Sequence, residues 1–360
     1  MVAFKIADLK FWKNKRVFLT GHTSFKGSWL KLWLEFLGSR VIGYSVDYPS
    51  KPHCLYKILF NEKLKKETIL NYQKLKKKIL KNKPEIVFHL AAQSILSEAN
   101  KDPIKNYETN ILGTANLLEA CYFSKSTKLV VIITTDKCYE ENSSKKFYNE
   151  NSKLGGSEPY SVSKACAELI SKSYQTKYKE VGKKIITLRA GNVVGGGDWK
   201  KNRLVPDVFK SIFSKKPLII RHPSYIRPWH HVLDCLNGYL LASEYAYKKK
   251  ITFDSWNFAP NIKYQIKVSK FIKILLLRMN NKNHKINFSK KNKFYESKRL
   301  NLSSSKAKKE LNWKTILNMK QTIDFINNWY LKFETGLDMK KFSVMQIKKF
   351  YSLSKKIRNR

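Results

Sequence analysis

The chain of 360 residues carries 71 Lys and Arg against 27 Asp and Glu, a formal charge of +44, with 42% hydrophobic and 13% aromatic residues. That apolar content excludes a disordered chain, and the length suffices for one large domain or two ordinary ones around a real core. No uninterrupted apolar stretch approaches the roughly 20 residues of a membrane helix, and the basic start (Phe4, Lys5, Ile6, Leu9, Lys10, Phe11, Trp12, Lys13) lacks a signal-peptide core. The expectation is a cytoplasmic protein with no membrane partner.

Five widely spaced cysteines (Cys54, Cys121, Cys138, Cys166, Cys235) with no CxxC point to neither a disulfide framework nor a metal site. Charge alone would suggest a nucleic-acid partner. The excess is mostly Lys spread along the whole chain, however, so no specific nucleic-acid partner is expected. Only the tail after Asp338 is one-signed, with Lys340, Lys341, Lys348, Lys349, Lys355, Lys356, Arg358 and Arg360 and no acid. The basic field should still draw in anionic ligands such as nucleotides.

In chain order, brief Val- and Ile-rich runs predict buried strands at Arg16 to Thr20, Val41 to Val46, Glu85 to Leu90, Leu129 to Thr134 and Ile185 to Arg189. Between the first two, Gly27 to Leu37 is apolar on nearly all faces and predicts a heavily buried crossover helix. This alternation predicts an α/β fold, a Rossmann-like doubly wound parallel sheet with ligands at the carboxyl ends of its strands. The rhythm breaks after Gly191, where Gly195 to Gly197 read as a flexible loop and several prolines follow. The expected organisation is a dinucleotide-binding domain over 1–190 and a smaller substrate domain over 191–360, interleaved with the first. The Lys- and Asn-rich tract from Met279 to Lys293 reads as a solvated loop.

The first strand runs into Thr20-Gly21-His22-Thr23-Ser24-Phe25-Lys26-Gly27 and then the apolar helix, the context of a dinucleotide-binding turn. Gly21 permits the turn, Gly27 allows close helix–strand packing, and a pyrophosphate can sit at the helix N-terminus. Ser24 stands where a middle glycine is usual; a left-handed conformation there would strain it. Asp47, after the second strand, can accept ribose hydroxyls and repel a 2′-phosphate, which favours NAD. Equally, it could be a surface Asp capping a loop. His89-Leu90-Ala91-Ala92-Gln93 offers small side chains for a flat ligand, or simple close packing. Thr134-Thr135-Asp136-Lys137 gathers a hydroxyl, a carboxyl and an ammonium at a strand's end. Tyr160 and Lys164, four apart, share one helical face, so the ammonium is expected to depress the phenol toward neutrality and make it a general base for an alcohol.

Together these residues resemble the extended short-chain dehydrogenase/reductase family of nucleotide-sugar enzymes. Residues 20–30 (TGHTSFKGSWL), 84–93 (PEIVFHLAAQ), 109–120 (TNILGTANLLEA), 134–139 (TTDKCY), 159–169 (PYSVSKACAEL), 188–199 (LRAGNVVGGGDW), 227–234 (RPWHHVLD) and 256–260 (WNFAP) are similar to its branch of 4,6-dehydratases acting on CDP-glucose. The resemblance covers about Lys15 to Tyr351. It implies NAD as cofactor, held by Gly21, Ser24, Phe25, Lys26, Gly27, Asp47, Leu90, Ala91, Ala92, Tyr160 and Lys164. It also implies Thr135, Asp136, Lys137, Tyr160 and Lys164 as the catalytic set, with CDP-glucose bound by Gln93, Asn192, Arg203, Leu204 and Arg227. Asn110 would order the site's backbone. A homodimer, and deoxysugar supply for lipopolysaccharide O-antigen, are further implications. Departures from the family pattern are Ser24 for Gly, Thr68 near an expected Asp and His230 for Gln; the first two bear on NAD affinity. A 4-epimerase would use the same Tyr, Lys and NAD but needs no Asp136-Lys137 pair. A non-catalytic nucleotide- or RNA-binding scaffold would predict salt-sensitive binding and no turnover.

Overall fold

A computed structural model describes residues 4–46, 54–141, 147–200, 202–288 and 301–358. Six strands, β1 (Arg16–Thr20), β2 (Arg40–Tyr44), β3 (Ile86–His89), β4 (Leu129–Ile133), β5 (Lys184–Ala190) and β6 (Phe253–Phe258), form one sheet in the order β6-β5-β4-β3-β1-β2. Every pairing is parallel. The chain leaves β1 for β2 on one side and then crosses to β3 on the other. That reversal opens a crevice between β1 and β3 at their carboxyl ends, where ligands bind in open α/β sheets.

The two-residue period of the strands explains why both faces are covered. Val17, Leu19, Ile86, Phe88, Leu129, Val131 and Ile133 turn to one face. There they meet Trp29, Leu30 and Trp33 of α1 (Phe25–Phe36), and Leu233, Leu236 and Leu240 of a later helix, Val232–Lys248. Phe18, Val87, Val130, Ile132 and Ile185 turn to the other face, against Leu75 and Ile79 of α2 (Tyr72–Asn82) and Leu117 and Leu118 of α3 (Gly113–Tyr122). The next helix, α4 (Pro159–Ser173), begins with the capping carboxylate of Glu158 and Pro159 in its first turn.

The sixth strand comes from beyond residue 190, preceded by the helix Val232–Lys248, here α6; α5 is Leu204–Phe213. The rest of that half rises over the carboxyl edge as three small ladders. Val193–Val194 pairs with His230–His231, Ile226–Pro228 with Gln265–Lys267, and Leu218–Ile220 with Ile286–Phe288. The last ladder corrects the reading of 279–293 as loop throughout, because Ile286–Phe288 is a strand that extends Leu218–Ile220. Gly195 to Gly197 are buried, and Gly196 accepts the Trp29 indole N–H at 2.9 Å, so this segment is a packed turn and not a flexible loop. The described part of the basic tail is helical. Two terminal helices follow, α7 (Met319–Glu334) and α8 (Met339–Arg358). Ile347 and Phe350 of α8 are buried, and Phe350 meets the Trp33 ring edge-on at 5.5 Å while Lys348 and Lys349 point to solvent.

Candidate active site

A cavity of about 1400 Å³ lies over the carboxyl ends of the strands. Gly21, Ser24, Phe25, Lys26, Leu90, Ala91, Ala92, Thr135, Asp136, Lys137, Tyr160, Lys164, Asn192, Arg203, Leu204 and Arg227 all line it, so residues spread over two hundred positions share one wall. Asp47 falls outside the described residues.

The first turn fits a dinucleotide. Gly21 has φ +68°, and a Cβ there would stand 2.6 Å from the Ala91 nitrogen; one on Gly27 would stand 2.2 Å from the Gly21 carbonyl oxygen. Only glycine lets β1, α1 and the Leu90–Ala91 backbone approach so closely. Ser24 has φ −71° and ψ 164°, ordinary extended backbone, and its Oγ accepts the Gly27 N–H at 3.1 Å. The strain expected at this position is therefore absent: Ser24 is a helix cap. It occupies one first-turn N–H and leaves those of Phe25 and Lys26 at the helix's positive end, where a pyrophosphate would be held. Gly27 itself lies behind the wall and shapes it.

The acid–hydroxyl group follows β4. Thr135 starts a short 3₁₀ turn, Asp136–Cys138, and its hydroxyl donates to Asp136 Oδ1 at 2.9 Å. Asp136 is buried, and Lys137 beside it is half-buried. Beneath them, Glu168 of α4 pairs with Arg189 at 2.7 Å and accepts from Thr134 and from Thr187 at 2.6 Å, which fixes α4 to β4 and β5. Asn110, in a π-helical turn over Glu108–Leu112, accepts the Gln93 N–H at 2.9 Å. It also donates to the Gln93 carbonyl and to Ser163 Oγ, each at 2.9 Å, so it does order this backbone.

Tyr160 and Lys164 share the cavity wall, but the electrostatics correct the sequence expectation. Burial pushes the phenol above its usual range, and Asp136 and Glu158 add to this against Thr135 and Arg203. The Lys164 ammonium donates to the Ile133 carbonyl at 3.0 Å, and it does not outweigh the burial that raises the phenol. Burial and the neighbouring Lys26 ammonium lower Lys164 to about 8.

Other assignments shift as well. Gln93 lies off the wall: its side-chain oxygen accepts from Asn106 at 3.0 Å and from the Ile95 N–H at 3.2 Å. Arg203 is on the wall with its guanidinium bonded to Asp198 at 2.9 Å. Arg227 is buried, its guanidinium 5.1 Å from the Tyr225 ring centroid, and Tyr225 stacks on His222. His230 is fully buried edge-on to Trp313, away from the cavity, and is lowered to about 3 chiefly by burial. Thr68 lines the cavity, and so does Glu67 before it, bonded to Lys78 at 2.7 Å. Sequence reading passed over Glu67; the acid next to Thr68 was the available signal. Sequence reading also passed over Gly191, where a Cβ would fall 1.9 Å from Asp136 Oδ2.

A parallel sheet with this crevice, turn and Tyr-Lys pair defines a dinucleotide-dependent enzyme fold. The chain belongs to the NAD dependent epimerase/dehydratase family, whose model matches residues 17–254, and NAD is its cofactor. It is 38% identical to the CDP-glucose 4,6-dehydratase of Salmonella typhimurium over 96% of this chain and 98% of that one. It is 33% identical to the dTDP-D-glucose 4,6-dehydratase of Dictyostelium discoideum over 57% of this chain and 50% of that one. Among solved structures, epimerase Mth375 of Methanothermobacter thermautotrophicus superposes with a TM-score of 0.79 at 23% identity, covering 90% of this chain and 94% of that one. UDP-glucose 4-epimerase of Brucella ovis in complex with NAD gives 0.75 at 18%, covering 88% and 98%. At such identities the structures speak for the fold alone. No helix among the described residues is long and apolar enough to cross a membrane.

Proposed function

We propose that the chain is a CDP-glucose 4,6-dehydratase that forms CDP-4-keto-6-deoxyglucose and water. The observation that carries this reading is the pair after β4: the buried Asp136 carboxyl group and Lys137 share one cavity with Tyr160 and Lys164. A 4-epimerase needs the Tyr and Lys only. The extra acid and base suit an elimination across C5 and C6, and similarity over nearly the full length of the Salmonella dehydratase supports the same choice.

In this reading Tyr160, assisted by Thr135, takes the proton of the sugar 4-hydroxyl. NAD, which the Gly21–Gly27 turn and the Leu90–Ala92 backbone would hold, would supply a hydride acceptor for C4 and donor for C6 and a positive ring that favours the phenolate. Lys137 removes the C5 proton, made acidic by the 4-ketone, and Asp136 protonates the departing 6-hydroxyl. Arg227 suits the substrate diphosphate as a guanidinium fork, with Asn192 and Leu204 alongside. Arg203 contributes charge while held by Asp198.

A homodimer through the faces around α3 and α4 is part of the proposal. Leu112 and Leu169, 51% and 55% exposed, give those faces apolar surface. A cytoplasmic location agrees with five free cysteines.

The deciding experiment follows atoms. CDP-glucose deuterated at C4 should give product carrying that deuterium at C6, and unlabelled substrate in deuterated water should give product with deuterium at C5. Label retained at C4 with no exchange at C5 would make the chain an epimerase.

A further inference from the structure

Lys26 stands in the first turn of α1, where a lysine would be expected to reach the cofactor's phosphates. Its side chain reaches across to α6. Nζ lies 3.4 Å from the Tyr239 hydroxyl and 5.7 Å from that ring's centroid, on the inner wall of the cavity. Tyr239 is fully buried on α6, one turn after the equally buried Cys235. The charges that face Lys26 from the surrounding elements are Asp136 after β4, Lys164 on α4 and Arg203 before α5. Buried His230 also feels its charge and stays neutral.

Among the described residues this ammonium has no ion pair and one long hydrogen bond, although it offers three donors. A half-buried cation so poorly matched is out of place, and functional sites are where such groups concentrate. Around the reacting end there are three cations (Lys26, Lys164, Arg203) and one acid, Asp136, with Arg203 already paired to Asp198.

Hydride acceptance turns a positively charged nicotinamide ring into a neutral one. The C4–H bond of the sugar breaks, both electrons travel with the hydrogen to the ring, and the hydroxyl proton goes to Tyr160. A fixed positive charge without a counter-ion near the reacting groups opposes the oxidised ring and leaves the reduced ring untouched. We propose that Lys26 is a further functional residue of this site: held by Tyr239, its unpaired ammonium biases bound dinucleotide toward the reduced form and so favours the opening oxidation at C4. The inference rests on the reaction assigned above for its purpose, but not for its test.

The test compares dissociation constants of NAD and NADH, without sugar, for the full chain, Lys26→Met, Lys26→Gln and Lys26→Arg. Both dinucleotides share the pyrophosphate, so their ratio isolates the ring's charge. Lys26→Met and Lys26→Gln should shift that ratio toward NAD by about tenfold, equivalent to about 30 mV for a two-electron couple, and Lys26→Arg should stay near the parent. Both neutral variants should fold, since Lys26 is half-buried and its ammonium makes no ion pair among the described residues. An unchanged ratio in the neutral variants, whether both affinities hold or both fall together, would overturn the proposal. The ratio is readable whatever the isotope experiment says about the sugar chemistry.

Discussion

Gly191→Ala is a sharp test of the site because its consequence is geometric. A methyl built at Gly191 falls 1.9 Å from Asp136 Oδ2 and 2.5 Å from its Cγ. Carbon–oxygen contacts settle near 3.3 Å, so the carboxylate would have to retreat by about 1.4 Å. It cannot do so freely, being buried and bonded to the Thr135 hydroxyl at 2.9 Å. Misplacement of a reacting group by about 1 Å costs on the order of 10²-fold in rate. The dehydration step should therefore slow by roughly 100-fold, while overpacking costs about 1–3 kcal/mol of stability. The Gly21–Gly27 turn is untouched, so NAD should still bind. Oxidation at C4 should suffer much less than elimination, and NADH absorbance should accumulate on adding CDP-glucose. Product formation at nearly the parental rate, or oxidation and elimination falling together, would refute the placement of Asp136 as the acid.

Two further predictions come from corrected expectations. Since Ser24 caps α1 from ordinary extended backbone, Ser24→Gly should leave NAD affinity unchanged and cost a few tenths of a kcal/mol, whereas Ser24→Ala should cost about 1 kcal/mol; clearly tighter NAD binding by the Gly variant in a titration would contradict this. Lys164 is lowered from 10.5 to about 8, so its burial penalises the folded state fully below about pH 8 and is relieved as pH rises toward 10.5. Lys164→Met should lose activity yet gain about 2–3 kcal/mol near pH 7, after about 1 kcal/mol is discounted for the lost Ile133 bond; urea melts should show that lead shrinking between pH 8 and 10.5, and a constant lead would sink the argument.

The parts of the fold legible in the sequence are those where local chemistry and tertiary role coincide. Interior strands of a parallel sheet are covered on both faces, so β1, β3, β4 and β5 each carry a short run of adjacent apolar residues. The edge strand β6 reads Phe253-Asp254-Ser255-Trp256-Asn257-Phe258, with polar residues among the aromatics. It becomes a strand because β5 is there to pair with it, information that lies about seventy residues away in the chain. Of the proposed catalytic set, Thr135, Asp136 and Lys137 stand out in the sequence because they follow the carboxyl end of β4, where the chain must turn, whereas Tyr160 and Lys164 lie on α4. Ser24 was misjudged because its position in a glycine pattern says less about backbone than its position before a helix, where serine is a preferred cap.

Side-chain direction was not legible, and it matters most for Tyr160. A four-residue spacing puts Lys164 on the same face but cannot say that the Ile133 carbonyl captures the ammonium at 3.0 Å. Nor can it say that Lys26, in contact with Tyr239, 213 residues on, adds a second cation whose charge reaches Lys164. The two effects act together. Lys164 is lowered by burial and by Lys26, while the phenol is raised by burial and by Asp136. Burial thus favours the protonated phenol at Tyr160, and a base at this position would need a positive charge beside it, such as the oxidised ring would bring. In the proposed reaction such a coupling would restrict proton abstraction to the assembled complex, which suits an enzyme whose hydride must return to the molecule it came from.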